Sequence, residues 1–198
     1  MRRAVVAAFL FGLIGCAGSN VYIAKEYGHA GKVAVLPIAN ESNDLDGPIF
    51  IRKLILDGLY ARGFQVLPMP EIDAQLKTQG FTDGGQLHAT TPQKIAEWTG
   101  ADSLLYCTLE SFDYVNVGFY SQRKVKVLCK MMDGKTGSRL WEAERDASTR
   151  AFAANKPDAE RLFAAQLAVK AVEKMTHTPL QPESRKTVAQ LLNALPYR

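Results

Sequence analysis

Residues 123–133, RKVKVLCKMMD, decide the fold because apolar and polar side chains alternate along them. A period of two is the pattern of a β-strand with one buried and one wet face, which is typical of an antiparallel sheet. Residues 101–112, ADSLLYCTLESF, show the same alternation, and residues 138–145 predict a third strand. We therefore predict an antiparallel meander in the C-terminal half of the chain.

Upstream of this meander, short apolar runs alternate with helical patterns, an order that favours parallel strands with helices packed on them. We expect an α/β fold with a mixed five-stranded sheet flanked by helices. The sheet is parallel in its N-terminal part and an antiparallel meander in its C-terminal part. The other predicted strands are residues 32–39 and 64–68, and the predicted helices are residues 48–62, 70–79, 91–99, 157–175 and 183–195. The long helix carries an apolar stripe, which we expect to pack on the sheet.

A hairpin centred near Gly118 would place Cys107 opposite Cys129 and Glu110 opposite Lys126. Opposite charges across a pair of strands stabilise this register. Both cysteines then face the core at a distance that a disulfide can span. Two states stay open: a disulfide formed in an oxidising compartment, or two buried thiols that behave as small apolar side chains.

The end of this hairpin, residues 112–122 (FDYVNVGFYSQ), carries three aromatic side chains with few charges beside them: Tyr114, Phe119 and Tyr120. Exposed aromatic residues are enriched at protein interfaces. These residues are therefore candidate contacts with a partner protein. The alternative is that they cap the core.

The tripeptide Gly134-Lys135-Thr136 has the ending of a phosphate-binding P-loop. A P-loop also needs a glycine at position 129, where Cys129 stands, and a helix after the motif, where a strand is predicted. We therefore interpret the tripeptide as a tight turn between two strands, with Gly137 supplying a positive φ. The sequence predicts no nucleotide site.

The amino-acid composition and the placement of polar residues argue against several classes of function. The chain has 198 residues and a formal net charge of +4, and no basic tract could neutralise a run of phosphates, so nucleic acid is not an expected partner. The histidines His29, His88 and His177 are scattered without the spacing of metal ligands. No residue pattern pairs a nucleophile with a base. We predict no catalytic residue, no metal and no cofactor, and hence a protein that is not an enzyme.

The N-terminus, MRRAVVAAFLFGLIGC, carries two arginines and then an apolar run from Ala4 to Ile14. That run is too short to span a bilayer, which needs about 20 apolar residues, but it suits an export signal. The run ends Leu13-Ile14-Gly15-Cys16, which resembles the bacterial lipobox. The resemblance implies that the chain is cut before Cys16 and that Cys16 is lipidated. An uncleaved signal with an incidental cysteine, or an ordinary secretory signal, is the alternative.

This resemblance divides the chain into a signal peptide at residues 1–15, a lipidated tether at residues 16–31 and a single periplasmic α/β domain at residues 32–198. Ala17, rather than aspartate, follows Cys16. Under the sorting rule of Gram-negative lipoproteins, this implies a lipid-anchored protein on the periplasmic face of the outer membrane, with display on the cell surface left open. The tether would reach at most about 50 Å.

The order of several segments resembles a family of bacterial lipoproteins of unknown function that includes a neisserial surface antigen. The segments are VAVLPIANES, GFQVLPMPEID, LKTQGFTDGGQLHA, ADSLLYCTLESF and DGKTGSRLWE. The resemblance implies a fold like the N-terminal domain of TolB and the periplasmic domain of CsgG. It also implies a binding role in an envelope transport or secretion complex, beside a CsgG-like lipoprotein. Cys16 is the one functional position that it transfers.

Two alternatives belong to other functional classes. A lipoprotein that activates a peptidoglycan synthase would have to reach through the cell wall, and the predicted tether is short for that. An envelope hydrolase would need the nucleophile and base that the sequence lacks.

Overall fold

The computed structural model describes residues 20–25, 27–28, 30–117, 119–176 and 180–196. The predicted signal peptide and Cys16 lie outside these residues. The strands are β1 Val21–Ile23, β2 Lys32–Val35, β3 Ala39–Asn40, β4 Gln65–Val66, β5 Ser103–Val117, β6 Tyr120–Asp133 and β7 Arg139–Phe152. The helices are α1 Gly47–Ala61, α2 Met69–Thr78, α3 Pro92–Thr99, α4 Lys156–Thr176 and α5 Gln181–Asn193, with a 3₁₀ helix at Gly84–Ala89.

All strands belong to one mixed sheet, in the order β1-β7-β6-β5-β2-β4, with β3 paired to β5 beside β2. β2 runs parallel to β4 and β5, whereas β5, β6 and β7 form an antiparallel meander. The predicted α/β class and mixed sheet are therefore confirmed. The sheet has seven strands rather than the predicted five.

One additional strand comes from a break at Pro37. Residues 32–39 were predicted as a single strand, but the structure divides them into β2 and β3, both parallel to β5. Proline has no backbone N–H to donate to a neighbouring strand, which interrupts the ladder at this point.

The other additional strand is β1, which lies within residues 16–31, the predicted tether. Val21, Tyr22 and Ile23 pair antiparallel with β7, and the Ala24 amide donates to the Leu140 carbonyl at 2.8 Å. The tether prediction is wrong for these residues. β-branched and aromatic side chains favour a strand, but the segment is too short to show a period.

Helices cover both faces of the sheet. On one face, α1 and α5 enclose the larger core, in which Trp141 is fully buried and donates from Nε1 to the Ala194 carbonyl at 2.9 Å. On the other face, α2 and α3 enclose a second core around Leu36 and Leu104. Among the described residues, none of the helices combines the length and apolar character that a membrane span requires.

Candidate functional site

The three meander strands continue past the part of β5 that pairs with β2 and β3, and α4 and the start of α5 pack on one face of this continuation. We call residues 111–117, 120–126 and 147–152 the extension. A β-bulge between Leu109 and Ser111 marks its start and shifts the β5–β6 register by one residue. Glu110 sits at the bulge, yet its Oε2 still lies 2.7 Å from Lys126 Nζ, so the expected charge pair forms.

Below the bulge, Cys107 and Cys129 are direct neighbours in the β5–β6 register, as the sequence predicts. Both side chains are buried in the larger core, and the structure joins their sulfur atoms. Of the two states that the sequence leaves open, the structure contains the disulfide.

The far end of the extension is apolar. Val117, Tyr120 and Phe152 lie opposite one another on three neighbouring strands, and the rings of Tyr120 and Phe152 have centroids 5.0 Å apart. Val117 is 67% exposed, Phe119 54% and Phe152 75%. We call these four residues, together with Val115, the tip.

The three aromatic residues predicted as partner contacts do not share one surface. Phe119 and Tyr120 belong to the tip, where Phe152 half-covers Tyr120. Tyr114 lies on the opposite face, packs against the larger core, and donates from its hydroxyl to Gln166 Oε1 of α4 at 2.7 Å. Tyr114 therefore helps to hold α4, in line with the capping alternative.

A buried charge cluster joins α4 and α5 to the extension. Arg123 on β6 pairs with Glu173 of α4 and donates from Nε to Glu183 Oε2 of α5 at 3.2 Å. Thr149 on β7 donates its hydroxyl to the other Glu183 oxygen at 2.7 Å. Burial lowers the pKa of Arg123, but hydrogen bonds and charge from Glu173 and Glu183 outweigh burial and raise the pKa above its ordinary value.

Beside this cluster, a cleft of about 620 Å³ opens between the extension, α4 and the acidic loop before α1. Its lining mixes charges of both signs, including Asp113, Arg123 and Lys170. In the loop, Asp44 Oδ1 accepts from the backbone amides of Asp46 and Gly47, so this carboxylate satisfies the first backbone amide of α1. Within the described parts of the chain, no three His, Cys, Asp or Glu side chains come together as a metal site would require.

The Gly134-Lys135-Thr136 segment is the turn between β6 and β7, as the sequence predicts, and Gly137 has φ +71°. Asp133 Oδ1 accepts from the amides of Lys135 and Thr136 at 3.0 and 2.7 Å. The hydrogen bond from the Thr136 amide is the main cause of the lowered pKa of Asp133. A strand follows the turn, so no helix N-terminus is available for a phosphate.

α4 contradicts the prediction that its apolar stripe packs on the sheet. Val169 is 43% exposed and Met175 82% exposed, whereas Gln166 and Glu173 make the contacts with the extension. We call the side of this helix that points away from Gln166 and Glu173 the outer face of α4; it is formed by Ala164, Leu167, Ala168, Ala171 and Met175, which are exposed. The sequence predicts the helical period of α4. Which side of the helix turns inward depends on polar partners on strands that are distant in the sequence.

Residues 22–194 match the model of the family described as "Putative lipoprotein GNA1162-like". The chain belongs to this family. Membership supports a lipid anchor and a location in the bacterial envelope, and the family description names no enzymatic activity.

A curated relative and a solved structure come from Neisseria meningitidis. The lipoprotein NMB1124/NMB1162 of serogroup B is 27% identical over 109 residues, which are 55% of this chain and 51% of the relative. The match thus spans about half the length of that relative. The crystal structure of lipoprotein GNA1162 has a TM-score of 0.55 and 25% identity, and covers 71% of this chain and 98% of GNA1162.

A more distant structure shares the fold. PelC from Paraburkholderia phytofirmans, solved as a dodecamer, has a TM-score of 0.53 and 15% identity, covering 91% of this chain and 97% of PelC. The C-terminal domain of LpoB from Escherichia coli has a TM-score of 0.47 and 18% identity, covering 64% of this chain and 88% of that domain. A structural similarity with a TM-score of 0.47 supports no conclusion about function.

Proposed function

We propose that this protein is a lipid-anchored lipoprotein on the periplasmic face of the outer membrane that acts by binding another protein. Its partner would be a CsgG-like lipoprotein in an envelope transport or secretion complex. The observation that carries the binding role is the outer face of α4.

The outer face of α4 has the chemistry of a protein-binding surface. Helices on the surface of a globular protein turn their apolar side to the core and their polar side to water. On α4 the polar Gln166 and Glu173 face the extension, while Leu167 and Met175 on the outer face are 52% and 82% exposed. Exposed apolar patches of this kind mark interaction sites. A partner that covered the outer face would remove these side chains from water.

The lipid anchor supports the same role by confining the domain to the membrane. Because β1 begins at Val21, the chain between Cys16 and the sheet can span at most about 17 Å. That is much shorter than the reach of about 50 Å expected for a tether of residues 16–31. Confinement near the membrane raises the effective concentration of the domain for a partner anchored there.

The Cys107–Cys129 bond supports export. Disulfides form and persist in oxidising compartments and are rare in the cytosol. A buried disulfide in the larger core is therefore consistent with a domain that folds in the periplasm.

Site-specific crosslinking tests the partner. A photo-crosslinking residue at Leu167, on the outer face of α4, is compared with one at Gln75, which is exposed on α2. After irradiation of native envelopes and affinity capture of this protein, we expect a CsgG-like lipoprotein with the probe at position 167 and not with the probe at 75. Capture of a peptidoglycan synthase alone would instead support the regulator hypothesis, and equal capture by both probes would contradict the α4 surface.

Fractionation tests the anchor. Cys16→Ala should move the protein from the membrane fraction to the soluble periplasmic fraction, because the acyl chains supply the stable membrane attachment. The matched variant Cys107→Ala should stay with the membrane. If Cys16→Ala remains in the membrane fraction, the lipid anchor is wrong.

A further inference from the structure

We infer that the tip of the extension docks into the surface of the bilayer that holds the lipid anchor. The occupant of this apolar surface is thus lipid rather than protein. The inference rests on the lipid anchor at Cys16 in the proposed function, and it adds a second point of contact that orients the domain.

The direction of β1 brings the anchor and the tip to the same side of the sheet. β7 runs from the turn at residues 134–138 toward the tip at Phe152, and β1 runs antiparallel to it. The chain therefore enters β1 from the tip side. Since Cys16 precedes Val21 by five residues, the anchored lipid lies within about 17 Å of the start of β1, whatever path those residues take.

The extension is long compared with this reach. Val21 lies opposite Ala143, and the nine residue steps from Ala143 to Phe152 at about 3.3 Å each come to about 30 Å. The anchored lipid thus lies within about 17 Å of Val21, whereas the tip projects about 30 Å beyond Val21. If the chain from Cys16 to Val21 follows the line of β1, the bilayer lies on the tip side of the sheet. The tip then reaches the bilayer, and the sheet tilts so that the length of the tip fits.

The side chains of the tip suit the region between the lipid headgroups and the acyl chains. Val117, Tyr120 and Phe152 form an uncharged row across three strands, and Phe119 stands beside them in the turn. Phenylalanine and tyrosine are suited to this interface, where an apolar ring can sit about 5–10 Å deep. An orientation that turns the tip away from the bilayer leaves Val117, Phe119 and Phe152 exposed, as they are in the isolated domain.

Polarity changes behind Val117, Tyr120 and Phe152 on the same face of the strands. The next row on that face is the tip residue Val115 with Gln122 and Arg150, and the one after it is Asp113, Lys124 and Ser148. Arg150 is exposed at a position from which its guanidinium can meet lipid phosphates. This arrangement of apolar end and polar collar matches the depth profile of a membrane surface.

The size of the tip also favours lipid over a protein. A stable protein interface uses about 20–30 residues on each side, whereas shallow insertion of a few apolar side chains adds usefully to a lipid anchor that is already in place. α4 contacts the opposite face of the extension through Tyr114 and Ser121. The outer face of α4 therefore stays accessible to a partner while the tip touches the bilayer.

A fluorescent label at the tip tests the inference in the full lipidated protein. With Cys107 and Cys129 bonded and Cys16 acylated, Phe119→Cys provides one reactive thiol for an environment-sensitive dye. The control is Lys135→Cys, exposed in the turn at the opposite end of the same strands. Each protein is reconstituted in vesicles of phosphatidylethanolamine and phosphatidylglycerol that contain a lipid quencher at headgroup depth.

We expect the dye at position 119 to shift to the blue and to be quenched at least twofold more than the dye at position 135. Adding Val117→Ser and Phe152→Ser should reduce the quenching at 119 without changing the melting temperature, because both side chains are exposed. If the protein floats with the vesicles and the two dyes are quenched equally, the tip inference is wrong and the anchor stands. If the protein does not float, the anchor itself fails. A blue shift seen in native outer membranes but not in lipid vesicles would assign the tip to a protein and overturn the inference.

Discussion

Arg123 donates from Nε to Glu183 Oε2 at 3.2 Å, and their side chains are only 13% and 4% exposed. Breaking a buried ion pair by removing one partner leaves an uncompensated charge and costs about 3–5 kcal/mol. We therefore expect Arg123→Met to lower the free energy of unfolding by that order, as measured by urea denaturation. The adjacent Lys124→Met, on the opposite face of β6, should change it by less than about 1 kcal/mol.

A second variant separates lost charge pairing from lost packing. Because Glu183 is the most buried member of the cluster, adding Glu183→Gln to Arg123→Met removes its unpaired charge and should recover part of the loss. Equal stability of the single and double variants would show that the charge of Glu183 does not determine the cost.

Local periodicity in the sequence predicted the strands and helices that bury one face in the core. The alternation around Val125 and Cys129 predicted a strand with one buried face. Cys107 and Cys129 both occupy core-facing positions of their strands, which predicted that they lie opposite each other. The helices α1 and α2 begin and end within one residue of their predicted limits. In each case the residues that face the core carry the pattern themselves.

The length of β7 and the orientation of α4 depend on contacts with other strands, which the local sequence does not reveal. β7 was predicted to end at Arg145, but it continues to Phe152 because β6 supplies hydrogen bonds along its whole length. Residues 145–150, RDASTR, are mostly polar, and most of them are exposed, so no alternation marks the strand in the sequence. The inward side of α4 is likewise set by Tyr114 and Arg123 on other strands.

The Cys107–Cys129 disulfide should be present in the exported protein. Titration of thiols in denaturant should find none without reductant and two with it, because the sulfur of Cys16 carries the lipid. The same chain without residues 1–19, expressed in the reducing cytosol, should show two thiols from the start. Loss of the bond by a double change to alanine should cost about 2–4 kcal/mol. Two free thiols in the exported protein would establish the reduced alternative.

Asp133 should make stability depend on acid pH. Hydrogen bonds from the Thr136 and Lys135 amides to its carboxylate hold the pKa of Asp133 below its ordinary value of 3.8. A carboxyl with a depressed folded pKa stabilises the fold above its unfolded pKa, and this contribution is lost as the pH falls through the folded value. Asp133→Asn should therefore cost less than about 1 kcal/mol at pH 7, because the carboxylate is partly exposed to solvent, and the difference from wild type should shrink below about pH 4.

Thermal melting between pH 7 and pH 2.5 measures this effect. Asp146→Asn is the matched control, since Asp146 is exposed on β7. A difference between Asp133→Asn and wild type that stays constant over the whole range would show that the carboxylate charge is not responsible.

Gly134 should be intolerant of a side chain because the turn is pressed against the loop before β5. Its amide donates to the Asp102 carbonyl at 2.8 Å, and an added Cβ would lie 2.9 Å from that oxygen and 2.7 Å from the Ala96 Cβ. We expect Gly134→Ala to cost about 1–3 kcal/mol, the usual range for overpacking. Gly63→Ala, where φ is +78° and the space for a Cβ is open, separately measures the cost of backbone strain without overpacking.

The same variant distinguishes the turn from a phosphate-binding loop. Because β7 rather than a helix follows Gly137, Mg-ATP should leave the melting temperature of the wild type unchanged, and Gly134→Ala should lose the same stability with or without ATP. A melting temperature that rises with Mg-ATP in the wild type and not in Gly134→Ala would restore the nucleotide interpretation. The glycine would then be needed for close approach of the backbone to phosphate, rather than for close approach to Asp102.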